Sequence, residues 1–465
     1  MLGLRLSEAV SKALAHPSGP SQPSELVGGR RPIPAGRGRT FGELIASYVP
    51  IWFTPLQSAH CSILFSELQA ARDNKPLYRA VLRALQKPLS VLLSNLLALL
   101  LPVLSSPAFL QPSAPTPQVP TPNATQLHAL AIADFAGELL SSFDDMALGI
   151  DTDSRGDGLQ PIRAGLVSLI GRVITPLITG IKEALIPFVD ALEIPAKTTS
   201  HKGKGSVHPS ITALQSSVPV YGRALARYAR IHSSHTLLAS FLISIVWRAL
   251  VALSHRPMMT ESSASAVLCE KGQYVSSARI PLLTSPTGSF NLKRGPSRPA
   301  SPVISSTAVA DAKALYGVFS HFPRPSHTQV AREAVDEAFA HLEVLVSLLE
   351  IADDPFFVAN KTVNEIADEI HGLTEELPTL IALPVLLRVQ YFGSDLGPQI
   401  GTVAALLNVP EDVYRRDYLA GFGRAEQCGP AVAQRVLDEI HARAVADPSW
   451  CLVDWLEACL SEDDC

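Results

Sequence analysis

Two apolar stretches, Leu89 to Leu104 (LSVLLSNLLALLLPVL) and Leu237 to Leu253 (LLASFLISIVWRALVAL), limit the folds open to this chain. A bilayer-spanning helix needs about 20 predominantly apolar residues, and both stretches fall a little short. Their flanks argue for burial against protein. Arg79, Arg83, Lys87, Ser90 and Ser94 recur every three or four residues, so a polar face runs into the first stretch before Pro102 ends it. In the second, Ser240, Ser244 and Arg248 align four apart, which would place a charge near the middle of a span, where it is costly. Each stretch is expected to form an amphipathic helix with a wide buried face, the core of an N-terminal helical domain. Membrane contact, as an integral or surface-bound helical protein, is the alternative.

Charged residues make up 17% of the chain and hydrophobic residues 47%, a shortage of charge that fits long buried helices or extensive partner surface. The net charge of -5 conceals a polarity. Residues 1–330 hold 30 Lys and Arg against 18 Asp and Glu, whereas residues 331–465 hold 8 against 25. Such an acidic end can steer a partner or serve as a solvated helix face.

The six cysteines are Cys61, Cys269, Cys428, Cys451, Cys459 and Cys465, with no CxxC pair, so neither a zinc site nor a secreted disulfide framework is expected. Reduced thiols in the cytoplasm or nucleus are the expectation. The sequons at Asn123 and Asn360 matter only in a secretory compartment. Residues 1–18 have no signal-peptide core; Arg5 and Lys12 give them some mitochondrial presequence character, which Glu8 and Glu25 oppose.

Helical patterns alternate with Pro- and Ser-rich spacers at 16–39, 105–125, 195–209 and 255–307. The expected organisation is a mobile segment 1–39, a helical domain 40–254 interrupted by a disordered loop at 105–125, a disordered basic linker 255–307, and an acidic helical domain 308–465. In residues 162–193, Leu166, Leu169, Val173, Leu177, Ile181 and Leu185 form one stripe, with a bend or break expected at Pro176 and Pro187. In residues 327–351, Val335, Phe339, Leu342, Val346 and Leu349 form another. Further helices are expected at 40–53, 56–72, 76–104, 127–148, 211–232, 235–254, 309–320, 356–371, 379–392, 398–408, 411–420, 430–446 and 449–460. Pro430 and the Asp447-Pro448-Ser449 run read as helix starts. Only residues 272–283 hint at strand. The fold class is all-α, a multi-helix bundle or irregular α-solenoid-like array, without a repeat at the periods of established solenoid families.

Catalytic and ligand motifs are mostly excluded on chemistry. In DTDSRGDGLQPI (151–162), Asp151, Asp153 and Gly156 match a calcium loop, but Arg155 and Ile162 occupy ligand positions, and a polar turn is expected. Its Arg155-Gly156-Asp157 tripeptide would matter only outside the cell. HKGKGSVH (201–208) lacks the Gly-Lys-Ser/Thr order of a P-loop. His232 and His235 are too few for a metal. The acidic pairs Asp144-Asp145, Asp353-Asp354 and Glu375-Glu376 are assigned solvation and dipole roles at helix ends or turns. The basic tracts at 28–40 and 293–299 lack the interleaved aromatics of specific nucleic-acid recognition.

The expected function is therefore that of a non-enzymatic intracellular scaffold or interaction subunit, with proteins as partners and no cofactor, metal or catalytic residue. Trp450 and Trp455 are candidate anchors for a partner. Ser285 and Ser301, each followed by Pro near basic residues, are candidate phosphosites that would subtract positive charge from the linker.

Overall fold

Asn74 opens the first long helix, α1 (Lys75–Ser105), by accepting a hydrogen bond from the Leu77 amide at 3.2 Å. The computed structural model describes residues 68–71, 73–150, 158–195, 197–198, 207–257, 304–305, 308–353, 363–391, 402–442 and 451–462. The segment 1–39, most of 255–307, the expected helix at 40–53 and the strand-like stretch 272–283 lie outside these residues.

The protein is all-α. After α1 come α2 (Ala124–Asp145), α3 (Gln160–Asp190), α4 (Pro209–Tyr228), α5 (His235–Ser254), α6 (Ala308–Phe319) and α7 (Gln329–Asp353). Then follow α8 (Val363–Thr374), α9 (Thr379–Tyr391), α10 (Glu411–Asp417), α11 (Phe422–Ala442) and α12 (Cys451–Glu462). Among the described residues the one pairing of extended chain is a two-residue antiparallel contact of Lys197–Thr198 with Ile304–Ser305. The chain forms two units, each assembled from three stretches. Unit 1 holds Met1–Leu185, Ser216–Ile243 and His321–Asp336; unit 2 holds Ile186–Gln215, Ser244–Ser320 and Glu337–Cys465.

In unit 1, Leu82, Leu85, Leu89, Leu92, Leu96 and Leu100 make a single buried stripe along α1 that faces α2. Burying each such side chain contributes about 1.5–3 kcal/mol. The α3 stripe is buried at every expected position of unit 1, from Leu166 to Leu185. That burial explains why α3 runs through Pro176 and Pro187 without the break that was one of the two expected outcomes, a bend being the other. Each proline costs about 3 kcal/mol, less than the buried stripe supplies. The first apolar run likewise continues past Pro102 to Ser105.

The proline-rich spacer 105–125 follows a defined path, where a disordered loop was expected. Asn123 and Gln126 form a capping box at the start of α2, and the rest of both amides reaches back across the spacer. Gln126 Nε2 donates to the carbonyls of Phe109 and Pro112, both at 3.0 Å, and Asn123 Nδ2 donates to those of Ala108 at 2.6 Å and Gln111 at 3.2 Å. The Asn123 sequon amide is thus committed to holding the chain. Gly180 completes the site, since a Cβ there would lie 2.0 Å from the Ser113 carbonyl oxygen. Replacing Gln126 with Glu keeps the capping oxygen but removes both donors, leaving two carbonyls unmet. A loss of about 1–3 kcal/mol is expected, with faster proteolysis within 105–125. Unchanged thermal stability and cleavage would remove this account.

In unit 2, α8 and α11 pack against α12, and α9 packs against α11 and α12. Residues Leu380, Ile381, Ala382, Leu383, Val385, Leu386 and Leu387 are all buried, so α9 is apolar around its whole circumference and runs through the middle of this group. Helix α11 begins at Phe422, eight residues before the expected start at Pro430, because Ala425, Cys428 and Gly429 are already buried there. Trp247 ties into the same unit, its Nε1 donating to the Leu419 carbonyl at 2.9 Å and its ring lying 4.6 Å from that of Phe422.

Candidate functional site

A cavity of about 590 Å³ opens among the helices of unit 2. Helix α7 contributes Glu337 and His341, the end of α8 contributes His371 and Thr374, and the connecting turn contributes Glu375 and Glu376. Thr379 comes from α9, Glu426 from α11, and Trp455 and Cys459 from α12. The lining residues include four glutamates and neither Lys nor Arg.

The floor is fixed. Trp455 is 2% exposed, and its Nε1 donates to Thr374 Oγ1 at 2.7 Å. The Thr374 hydroxyl in turn donates to the Ile370 carbonyl at 2.8 Å, so the indole plane is held from both ends of the contact. His341 is 7% exposed and its ring lies 5.2 Å from that of Phe422. One ring N–H bonds the Glu376 carbonyl, while Nδ1 is buried without a partner. Burial lowers the His341 pKa, against the opposing charges of Glu337, Glu426 and Glu376. The ring is therefore neutral at neutral pH, and with its N–H engaged, Nδ1 is a bare acceptor. All four glutamates are exposed, forming a solvated acidic rim above this floor.

The placement of Glu375 and Glu376 runs against helix stability. They follow the last residue of α8, where the exposed carbonyls make the negative end of the helix dipole. Asp145 and Asp353 also end helices. These pairs lie at helix ends or turns as expected, at C-termini where the dipole disfavours carboxylates, and Asp353 has the charges of Arg256 and Arg388 near it. Asp144 is matched by Arg163; Glu375 and Glu376 have no cation beside them among the cavity residues.

A second polar group in unit 2 is structural in character. Asp311, 0% exposed, accepts from the His208 amide at 2.8 Å and from Arg256 Nη1 at 2.6 Å. Arg388 donates to the Arg256 carbonyl, and its pKa is lowered to about 10 by burial and by the Arg256 charge. Arg415 forms a two-pronged pair with Glu193 at 2.6 and 2.8 Å and also reaches Glu411. Between these cations His255 Nε2 and Tyr414 Oη are buried without partners, their rings 6.0 Å apart.

Of the residues singled out in the sequence, Trp455 belongs to the cavity floor, while Trp450, Ser285 and Ser301 lie outside the described residues. In unit 1, His232 and His235 are joined by His327, with ring centres 3.4 to 6.4 Å apart. The rings of His232 and His327 lie too close for both to ligate one ion in this arrangement. Among the described residues no group of three or more His, Cys, Asp or Glu is placed to hold a metal. Glu337, His341, His371 and Glu426 escaped sequence reading because three helices, α7, α8 and α11, bring them together. The one local signal was two consecutive glutamates just before Pro378.

No family model matches the chain, and no curated protein or solved structure matches it either.

Proposed function

We propose that the protein is a non-enzymatic interaction subunit whose acidic cavity in unit 2 receives a basic side chain of a protein partner. The observation that carries this reading is the rim of four exposed glutamates around the fixed Trp455 ring, with neither Lys nor Arg among the described residues that line the cavity. An ammonium or guanidinium group supplies what the cavity lacks. Its charge and N–H donors meet the carboxylates, and the fixed Trp455 ring offers a surface for its alkyl stem. The same charge relieves the repulsion between Glu375, Glu376 and the end of α8. The acidic balance of residues 331–465 supports attraction of such a partner over longer range. An intracellular location, within a larger complex, accompanies this reading.

Carbodiimide cross-linking tests it, because the reagent joins a carboxylate directly to a nearby lysine. Complexes purified on the full-length chain are expected to yield cross-links from partner lysines to Glu337, Glu375, Glu376 or Glu426. The variant with these four residues changed to Gln is expected to lose both the links and the partner. A partner retained at full yield by that variant, or linked only elsewhere, would defeat the proposal.

A further inference from the structure

Helix α1 has one side that is exposed along much of its length and meets no neighbour among the described residues. Three helical stretches, Lys75–Ser105, Gln160–Glu193 and His232–Ser254, are long and apolar enough to cross a membrane, and they differ in how far the protein covers them. The most apolar windows of the second and third are 50% and 61% buried, that of α1 only 22%. The first run therefore forms core along a single stripe, whereas the expectation was a wide buried face.

What α1 turns outward is ordered along its axis. Lys75, Arg79, Arg83 and Lys87 follow one another every four residues, all exposed, on the side opposite or flanking the leucine stripe. Among the described residues none of the four has a carboxylate partner, and α1 itself contains no Asp or Glu. Further along, the same side becomes apolar, with Val91 48% and Leu101 53% exposed, together with Ala98 and Pro102. Beyond the helix, Leu110 continues it at 54% exposure. Of the exposed serines on this side, Ser94 and Ser105 turn their hydroxyls back to the carbonyls of Ser90 and Pro102, at 2.9 and 3.1 Å.

We propose that this outward side of α1 is a docking surface for anionic lipid, with the basic half lying against headgroups and the Leu101–Leu110 end dipping among the acyl chains. Complementarity of charge selects the occupant, since an unopposed row of cations attracts an anionic leaflet, and the adjoining apolar end has no use for a nucleic acid. The geometry selects a surface position over a span. The stripe from Leu82 to Leu100 is buried against protein, so one side alone is free. The apolar half, Leu89 to Leu104, is about 24 Å long at helical rise, shorter than the ~30 Å hydrocarbon core. This inference stands apart from the cavity of unit 2 and does not depend on it.

Sedimentation of the full-length chain with vesicles tests the proposal. Binding is expected to vesicles of phosphatidylcholine mixed with phosphatidylserine, to fall steeply with salt, and to be weak on phosphatidylcholine alone. Each basic residue near such a surface contributes about fivefold in partitioning, so the triple variant Arg79→Gln, Arg83→Gln, Lys87→Gln should bind about a hundredfold more weakly. The charge-preserving variant Arg79→Lys, Arg83→Lys, Lys87→Arg should bind as the parent does. Changing Leu101 and Leu110 to Gln should cost about tenfold or more. All these positions are exposed, and unchanged circular dichroism will establish that each variant folds. Equal binding to both vesicle types, binding indifferent to the substitutions, or retention in the membrane pellet after alkaline carbonate would overturn the proposal. Indifference to both vesicle types, with a co-purifying protein lost from the triple variant, would assign the face to a protein instead.

Discussion

Replacing Asp311 with Asn is expected to lower the stability of unit 2 by about 3–5 kcal/mol. The carboxylate is fully enclosed and holds Arg256, itself 3% exposed. Asparagine has nearly the same shape and still accepts the His208 amide, so the change isolates the loss of charge. It strips the fully enclosed counter-charge at 2.6 Å from a guanidinium that cannot retreat to water and that has the cationic Arg388 beside it, leaving Asp353 as a carboxylate whose field still reaches it. The effect comes mainly from the buried cation left behind, because a buried pair returns little beyond its own desolvation cost. Combining Asp311→Asn with Arg256→Met should therefore recover much of the loss, giving a coupling energy of about 2 kcal/mol or more. Urea unfolding monitored by tryptophan fluorescence reports on this unit, where Trp247 and Trp455 are both buried. A single-variant loss below about 1 kcal/mol would mean that Arg256 relaxes into solvent or finds other acceptors.

Acidification is expected to destabilise the same unit well before its carboxylates titrate. Burial, with the charges of Arg415 and Arg388, lowers the His255 pKa from 6.5 to about 3, while a hydrogen bond to the Val251 carbonyl partly opposes this. The folded state thus excludes a proton that the unfolded chain binds below pH 6.5. This contribution is fully present above the unfolded pKa and is lost as pH falls towards the folded one. Linkage over that window gives a loss of about 2 kcal/mol by pH 5 and about 3 kcal/mol by pH 4. Burial lowers the pKa values of His208 and His341 in this unit too, with the same sign. Replacing His255 with Phe should cost about 1 kcal/mol at pH 7 through the lost Nδ1 hydrogen bonds. Between pH 6.5 and 4 the variant should lose stability less steeply, so that the two profiles converge or cross. Parallel profiles over that interval would show that His255 does not carry the effect.

The sequence reveals much of the helical scaffold because burial follows a period that local residues record. Leu166 through Leu185 and Val335 through Leu349 could be placed on one face each from spacing alone. Pro430 does not start its helix, and Pro102, Pro176 and Pro187 break none, where packing on both sides outweighs one missing hydrogen bond. The 105–125 spacer misled sequence reading in another way. Its composition suggests disorder, yet the groups that hold it in place, Asn123, Gln126 and Gly180, lie at its edge or far beyond it. The acidic cavity was least legible. Its rim combines side chains from α7, α8, α11 and the turn before α9, which no single window of sequence brings together. Charge polarity hinted that the C-terminal part would matter, but it could not distinguish a solvated face from a concave one.

The contact of Gly180 with Ser113 bears on how this chain can be shortened. A proline-rich stretch between two helices is an obvious place to trim, and here trimming would take out a wall. Residues Phe109 and Ala114 are buried, and the three atoms nearest the missing Cβ of buried Gly180 on α3 all belong to Ser113. A chain joined directly from Ser105 to Asn123 would uncover that helix and strand the amides of Asn123 and Gln126. The segment that looks most dispensable in composition is thus among those the N-terminal helices can least spare.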